Sequence, residues 1–409
     1  MKRTRTPLSY LGTALGGLVS LALASGASGC KKAKPAPTEA SGHTTVGARV
    51  PTPTARVIYV TNNGSDSLSA IDRDGDTVTT VSVDYDPDAR EAPHHVARTK
   101  GGESLFVALA FPPEGLSAKK KDPHGGHGAS SQPGALAKVD PGTLAVLATR
   151  DVDENPGDVV TTHDGTRAIV THYDMKRAMT VAAQGNASPS TMFAKIQVWD
   201  TRSFAKLGER PVCVAPHGTA ISEDDTRAIV ACYGSDEIVV VDLTKPQLPV
   251  ARYPLGNAQG VPGVPRYGPY SVTLVPGGSE AVVADIESND LRIFDLDTKA
   301  FRGERTIVLG AKAFMPAVVD AHTAYVPLQA PDSLVRVDLA TGKIVAQVVK
   351  PPDECRAPHA FGVSHGRVFV VCEGDHKGPG TVLEVDPTSL ATRRRWTVGV
   401  YPDGLAFGD

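Results

Sequence analysis

Aromatic residues make up only 5% of the 409-residue chain, and positive charge is not in excess: 42 Lys and Arg face 45 Asp and Glu, a formal net charge of −3. A nucleic-acid surface needs a basic face to neutralise phosphates, so that class of partner is not expected. There is no Gly-x-Ser-x-Gly elbow, no glycine-rich phosphate loop and no Cys-x-x-Cys-His haem-attachment sequence. Serine-hydrolase, nucleotide-binding and c-type cytochrome readings therefore have no motif behind them. Beyond the first 30 residues the chain also lacks long helical periodicity.

What the chain does have is turn chemistry, with 40 Gly and 32 Pro, and self-similarity. Seven prolines, Pro93, Pro156, Pro216, Pro269, Pro316, Pro358 and Pro402, precede short strand-like runs at spacings of 42 to 63 residues. Seven further runs end in Asp72, Asp140, Asp200, Asp242, Asp295, Asp338 and Asp386, among them KIQVWD, EIVVVD and TVLEVD. Strand-type repeats of this period predict the blades of an all-β propeller. One copy runs from His217 to Asp242: HGTAIS, a turn at EDDT, RAIVACY, then EIVVVD, with a fourth strand near VARYPL. The chain ends in YPDGLAFGD, a first strand alone, whereas the repeats begin at RVIYVTNNGSDSLSAID, a second and third strand. Pairing the two completes a seven-bladed ring of four-stranded antiparallel blades with no free edge.

Ahead of the repeats, Lys2, Arg3 and Arg5 lead into LGTALGGLVSLALA, the pattern of a secretion signal. Ala27-Ser28-Gly29-Cys30 follows and resembles the lipobox of bacterial lipoproteins, with Ala27 where leucine is usual. That resemblance implies cleavage after residue 29, lipidation of Cys30 and an extracytoplasmic, membrane-anchored protein. Lys31 after the cysteine favours the outer membrane. Residues 30–55, rich in Pro, Ala and Thr, read as a disordered tether, and residues 56–409 as the propeller. Loss of residues 1–29 would take the net charge to about −6.

Tyr59-Val60-Thr61-Asn62-Asn63 resembles, letter for letter, the motif that names the YVTN family of β-propeller repeat proteins, and the resemblance spans residues 56–409. It implies the fold and little about activity.

In an antiparallel blade the start of strand one and the end of strand two share a rim. The residue after each repeat proline is thus expected to border the mouth of the central channel: His94, Gly157, His217, Tyr270, Ala317, His359 and Asp403. Three long loops, about 111–134, 173–194 and 254–269, open on that face, which makes it the expected binding surface. The ligand-binding candidates are His94, His217, Tyr270, His359 and Asp403. No metal or other cofactor is expected: a channel several ångströms wide should hold three histidines on different blades too far apart to share an ion, and Pro-His-Gly is common in YVTN-type repeats. His124 and His127 of DPHGGHG read as linker residues, and Asp72-Arg-Asp-Gly-Asp76 as a turn rather than a calcium loop.

Apart from Cys30 there are four cysteines. Cys213 and Cys355 each lie three residues before a repeat proline, and Cys232 and Cys372 each end a second strand, which favours disulfides Cys213–Cys232 and Cys355–Cys372. At equivalent positions stand Asp153 with His172, Arg266 with Asp285 and Ala313 with Leu328, matched pairs expected to touch. Arg90 with Leu109 and Gly399 with Asn62 show no match. The reading is a monomeric binding or interaction module for a protein or small-molecule partner. The alternative is a lactonase-like enzyme, or a metal- or quinone-dependent redox protein, acting at the channel mouth.

Overall fold

The computed structural model describes residues 56–84, 86, 88–111, 133–185, 187–257 and 260–408. The leader, the tether with Cys30, and His124 and His127 lie outside the described residues. Seven separate sheets form seven blades. Blade 1 comprises strands Pro93–Arg98, Leu105–Leu109, Ala135–Val139 and Val146–Asp151; blade 2, Pro156–Thr161, Arg167–His172, Ala194–Asp200 and Lys206–Cys213. Blade 3 runs from Pro216–Ile221 to Val250–Pro254, blade 4 from Pro269–Leu274 to Ile307–Val308, blade 5 from Lys312–Ala313 to Lys343–Val348, and blade 6 from Pro358–Ser364 to Thr392–Val400. Blade 7 joins Pro402–Phe407 to Val57–Asn62, Ser67–Asp72 and Val78–Ser82. The closing pair is antiparallel, with Ile58 opposite Phe407 and Val60 opposite Leu405, as the sequence predicts.

Each repeat signature has a local cause. All seven aspartates cap the turn that follows their strand, accepting backbone N–H groups two or three residues on: Asp72 from Asp74, Asp140 from Gly142, Asp200 from Ser203, Asp242 from Thr244, Asp295 from Asp297, Asp338 from Ala340 and Asp386 from Thr388. Aspartate is suited to this because its short carboxylate reaches its own downstream backbone. Six of the seven prolines are the first residue of an inner strand, where a missing N–H removes no ladder bond, and Pro316 stands just before Ala317–Val318. The residue ahead of the proline is left-handed at Ala92, Asn155, Ala215, Gly268, Ala357 and Tyr401. Just after the proline the ladder slips, for instance between Pro93 and Val96, Pro216 and Thr219, and Pro358 and Ala360. A bulge of this kind re-aims the side chains it skips, here those of His94, His95, His217 and His359.

The core lies between blades, not within them. Phe106 and Leu136 of blade 1 pack with Val170, Trp199 and Phe204 of blade 2, which is why the inner strands are buried on both faces. Inner strands also approach closely: a Cβ on Gly218 would stand 2.7 Å from Ser271 Cα. Both expected disulfides are present, with Cα–Cα distances of 5.9 Å for Cys213–Cys232 and 5.1 Å for Cys355–Cys372. Ala313 pairs with Leu328.

Two of the matched pairs dissolve into larger networks. Asp153 is bridged by Lys195, whose carbonyl also takes the His172 Nδ1 contact. Arg292, not Arg266, reaches Asp285 at 3.1 Å. Conversely, the mismatched Gly399 donates its N–H to Asn62 Oδ1. The second insertion is not an irregular loop: it holds the helices Met175–Ala183 and Pro189–Met192, capped by Asp174 and Ser188. An alanine-rich run behind an aspartate cap is sufficient cause. Among the described residues no helix is long and apolar enough to cross a membrane.

Candidate functional site: an axial histidine–carboxylate chamber

The bulges after the repeat prolines turn side chains from several blades toward the propeller axis. His94 comes from blade 1, His217 from blade 3, Tyr270 from blade 4, His359 from blade 6 and Asp403 from blade 7, and none is more than 1% exposed. The five candidates do converge, but in a closed chamber rather than at an open mouth. The cover is built by the elements expected on this face. Tyr173, at the start of the second insertion, sets its ring 5.2 Å from that of His217, and Tyr233 packs 5.4 Å from Tyr173. The loop following Pro254 is tied down by Asp236, whose carboxylate accepts N–H groups from Gly260, Arg266, Tyr267 and Gly268. Gly263 in that loop also donates to Gly234 O.

The expectation that a wide channel separates the histidines does not hold. Potential ligand atoms of His94, His95 and His217 all lie within 4.8 Å of one another, and so do those of His95, His359 and Asp403. Two causes are visible. The blade 1 bulge skips two residues, so that His95 turns inward beside His94, their rings stacked 4.3 Å apart. The glycine-lined inner strands bring the blades close.

His95, the member common to both groups, is absent from the candidates read from sequence. So are the groups that orient the histidines. Asp158, on the inner strand of blade 2, accepts from His95 Nδ1 at 2.6 Å and also from the backbone N–H groups of Val159 and Thr219. Glu373, one residue past Cys372, sits 2.5 Å from His359 Nδ1. The carbonyl of Tyr270 lies 3.1 Å from His217 Nδ1. The doubled histidine of Pro93-His94-His95 was the one sequence signal available. Asp158 and Glu373 carry none, because a carboxylate near a strand end has no period of its own.

Contacts continue through the chamber. His359 Nε2 lies 3.0 Å from Asp403 Oδ1, and Asp403 Oδ2 lies 3.4 Å from His94 Nε2. Outward, Glu373 Oε2 meets His376 Nε2 at 2.5 Å, and His376 is half-buried, stacked 3.8 Å from Tyr401. Burial alone would push the His359 pKa down, but Asp403 and Glu373 override it and hold it up at about 10. Burial, with Asp403 nearby, drives the Tyr270 hydroxyl well above its ordinary value, so it stays protonated. His95 Nε2 is buried and has no hydrogen-bond partner among the described residues. A groove lined by Arg227, Asp242, Tyr253 and Lys299 lies at the opposite blade ends. Its aspartate is a turn cap, and among the described residues no buried polar set converges there.

No family model matches the chain, and no curated protein resembles it in sequence. Solved structures match it in fold. A protein provisionally named a 6-phosphogluconolactonase from Bacteroides fragilis has a TM-score of 0.61 at 14% identity, over 88% of this chain and 99% of that one. A protein from Lactobacillus plantarum gives 0.58 at 17% identity, over 86% and 98%. The dihydro-heme d1 dehydrogenase NirN gives 0.54 at 14% identity, over 89% and 78%. At these identities the likeness is one of fold.

Proposed function

We propose that this protein is an extracytoplasmic binding module whose ligand sits at the axial chamber, beneath the face built by the Tyr173–Phe193 insertion and the loop after Pro254. The observation that supports this reading is the convergence of ionisable side chains from blades 1, 2, 3, 6 and 7 at near-zero exposure. Burying so many polar groups is costly, and a hydrophobic axis would serve the fold better. Rigid blade ends supply the geometry, and the covering loops supply selectivity. In this proposal the chain is a monomeric member of the YVTN-type propellers and a lipoprotein held at the outer membrane through Cys30.

Hydrogen exchange on the full chain, in buffer and in a concentrated envelope extract, tests the site. The expected result is added protection in Pro93–Arg98, Pro358–Ser364 and Pro402–Phe407. Protection confined to the aspartate-turn end would sink the reading. The anchor is tested separately, since Cys30→Ser should abolish incorporation of a labelled fatty acid.

A second reading, catalysis in the same chamber, is favoured by one feature. His359 holds a proton between two carboxylates, and a line of contacts leads outward to His376, an arrangement suited to acid–base work. Two structural neighbours named as a lactonase and a dehydrogenase are in keeping with it. Hydrolysis of 6-phosphogluconolactone by the wild type, lost in His359→Gln, would place this reading first.

A further inference from the structure

We infer that the chamber binds a single divalent transition-metal ion through His95, His359 and Asp403, His359 giving up its Nε2 proton to solvent as the ion binds, with the His94–His217 pair adjoining on the other side of His95. This rests on the reading that the ligand lies in the axial chamber, and it names that ligand's chemistry. Three observations carry it.

The first is distance. Metal–nitrogen and metal–oxygen bonds of about 2.0–2.2 Å place neighbouring ligand atoms roughly 3 to 4 Å apart. Both triads already hold their atoms within 4.8 Å, so closing on an ion asks for side-chain shifts well under a full ångström per ligand.

The second is orientation. Histidines that ligate metals characteristically commit their other ring nitrogen to a carboxylate or carbonyl, which fixes the tautomer and raises ligand basicity. Here three do so: His95 Nδ1 on Asp158, His359 Nδ1 on Glu373, and His217 Nδ1 on the Tyr270 carbonyl. Three buried imidazoles from three blades have the same nitrogen anchored, and the Nε2 of His359 already lies 3.0 Å from Asp403, a member of its own triad. A structural network would need no such agreement.

The third is the state of His95 itself. Its Nε2 is buried, directed into the chamber and without a hydrogen-bond partner among the described residues. A buried nitrogen in that state is unfavourable, and a metal bond is a natural use for it. Imidazole with one carboxylate suits the zinc and copper class; calcium or magnesium would need an oxygen cage.

The test uses the full-length protein carrying His124→Ala and His127→Ala, which removes the loop histidines as a rival site. After chelation and dialysis, zinc and copper(II) are titrated by calorimetry, with the bound metal counted by elemental analysis. Cobalt(II) absorption reports the coordination geometry. The expected result is one ion per chain. Affinity should fall at least 100-fold in His95→Ala and 10- to 100-fold in Asp158→Asn, and stay unchanged in His322→Ala, at an exposed hairpin. His95→Gln keeps bulk and polarity, and replaces His95→Ala if that variant does not fold.

A folded parent that binds no ion, or binding that survives loss of His95, overturns the inference. Envelope-dependent exchange protection around Pro93, Pro358 and Pro402 is scored in the same preparations. If it persists without metal, the chamber remains a ligand site and only the metal assignment fails. If both are absent, both readings fall.

Discussion

At one end of the blades seven aspartates do the same thing seven times; at the other, the residues that follow seven prolines differ from blade to blade. Every strand-ending aspartate accepts N–H groups from its own turn. The post-proline positions instead carry His, Gly, His, Tyr, Ala, His and Asp. The backbone device is nearly as regular at this end, with a left-handed residue, a proline and a skipped ladder position, yet the residues it presents are irregular and, Ala317 apart, buried. Periodicity therefore builds the frame, and departures from it mark where buried ionisable side chains gather.

That contrast predicts a ranking of effects. Glu373→Ala would remove the buried acceptor that His359 Nδ1, Gln329 Nε2 and His376 Nε2 share, at a cost of about 3–5 kcal/mol, as when a buried charged network loses a partner. Asp386→Ala at the exposed turn end should lower the denaturation midpoint only slightly. Urea unfolding of the two variants measures both, and equal losses would erase the distinction between the ends. Next in size, removing Cys213–Cys232 by paired alanine substitution should cost about 3 kcal/mol for a loop of this length. Cys355–Cys372, of similar span, should cost about as much. A much larger loss at one of them would show that blades bearing the same staple are not equivalent.

A smaller effect of opposite sign is expected at the left-handed positions. Ala357 adopts φ 50°, a conformation that glycine enters without strain. Ala357→Gly should raise stability by roughly 0.5 kcal/mol, the relief of left-handed strain less the added freedom of the unfolded chain. A loss on this substitution would mean that the pre-proline geometry is not strained.

The smallest effects per residue lie in pH. Hydrogen bonds from turn residues hold the carboxyls of Asp200, Asp242, Asp295, Asp338 and Asp386 below their ordinary range. The Glu209 carboxyl sits at about 2 through Lys195 and Lys206, and that of Asp224 at about 2 through Ser222 and Thr226. A depressed folded pKa stabilises fully above the unfolded value near 4 and is lost as pH falls toward 2. The melting temperature should therefore hold down to about pH 4 and fall below it. Asp224→Asn should make that acid limb slightly shallower.

The frame was legible because each of its parts is local. A proline at a strand start, an aspartate reaching its own turn and a cysteine at a fixed offset each leave a signal within a few residues. The ring closure could be read for the same reason, as a lone first strand at one end and its missing partners at the other. Five chamber residues were found because they occupy a repeat position. His95, Asp158 and Glu373 were not, because their roles depend on which blade lies opposite. The misjudged channel width has the same origin: bulge geometry and the close approach at Gly218 are properties of packing between blades. The Arg266–Asp285 pairing failed where Arg292, on the next strand, offered a better path to the buried carboxyl.

The strand that seals the ring, Pro402–Phe407, also delivers Asp403 to the chamber, opposite histidines from blades 1 and 6. Occupancy of the chamber is then a report on whether the circle is closed. A linear stack of repeats can fray from its ends one unit at a time. In this propeller the seam and the hub share a residue, so a ligand at the hub resists opening of the seam. By mass action it should add about 1.4 kcal/mol of resistance for each tenfold rise in its free concentration above its dissociation constant. The join between the two ends of the domain would thus be tightened by any ligand that the chamber proves to hold.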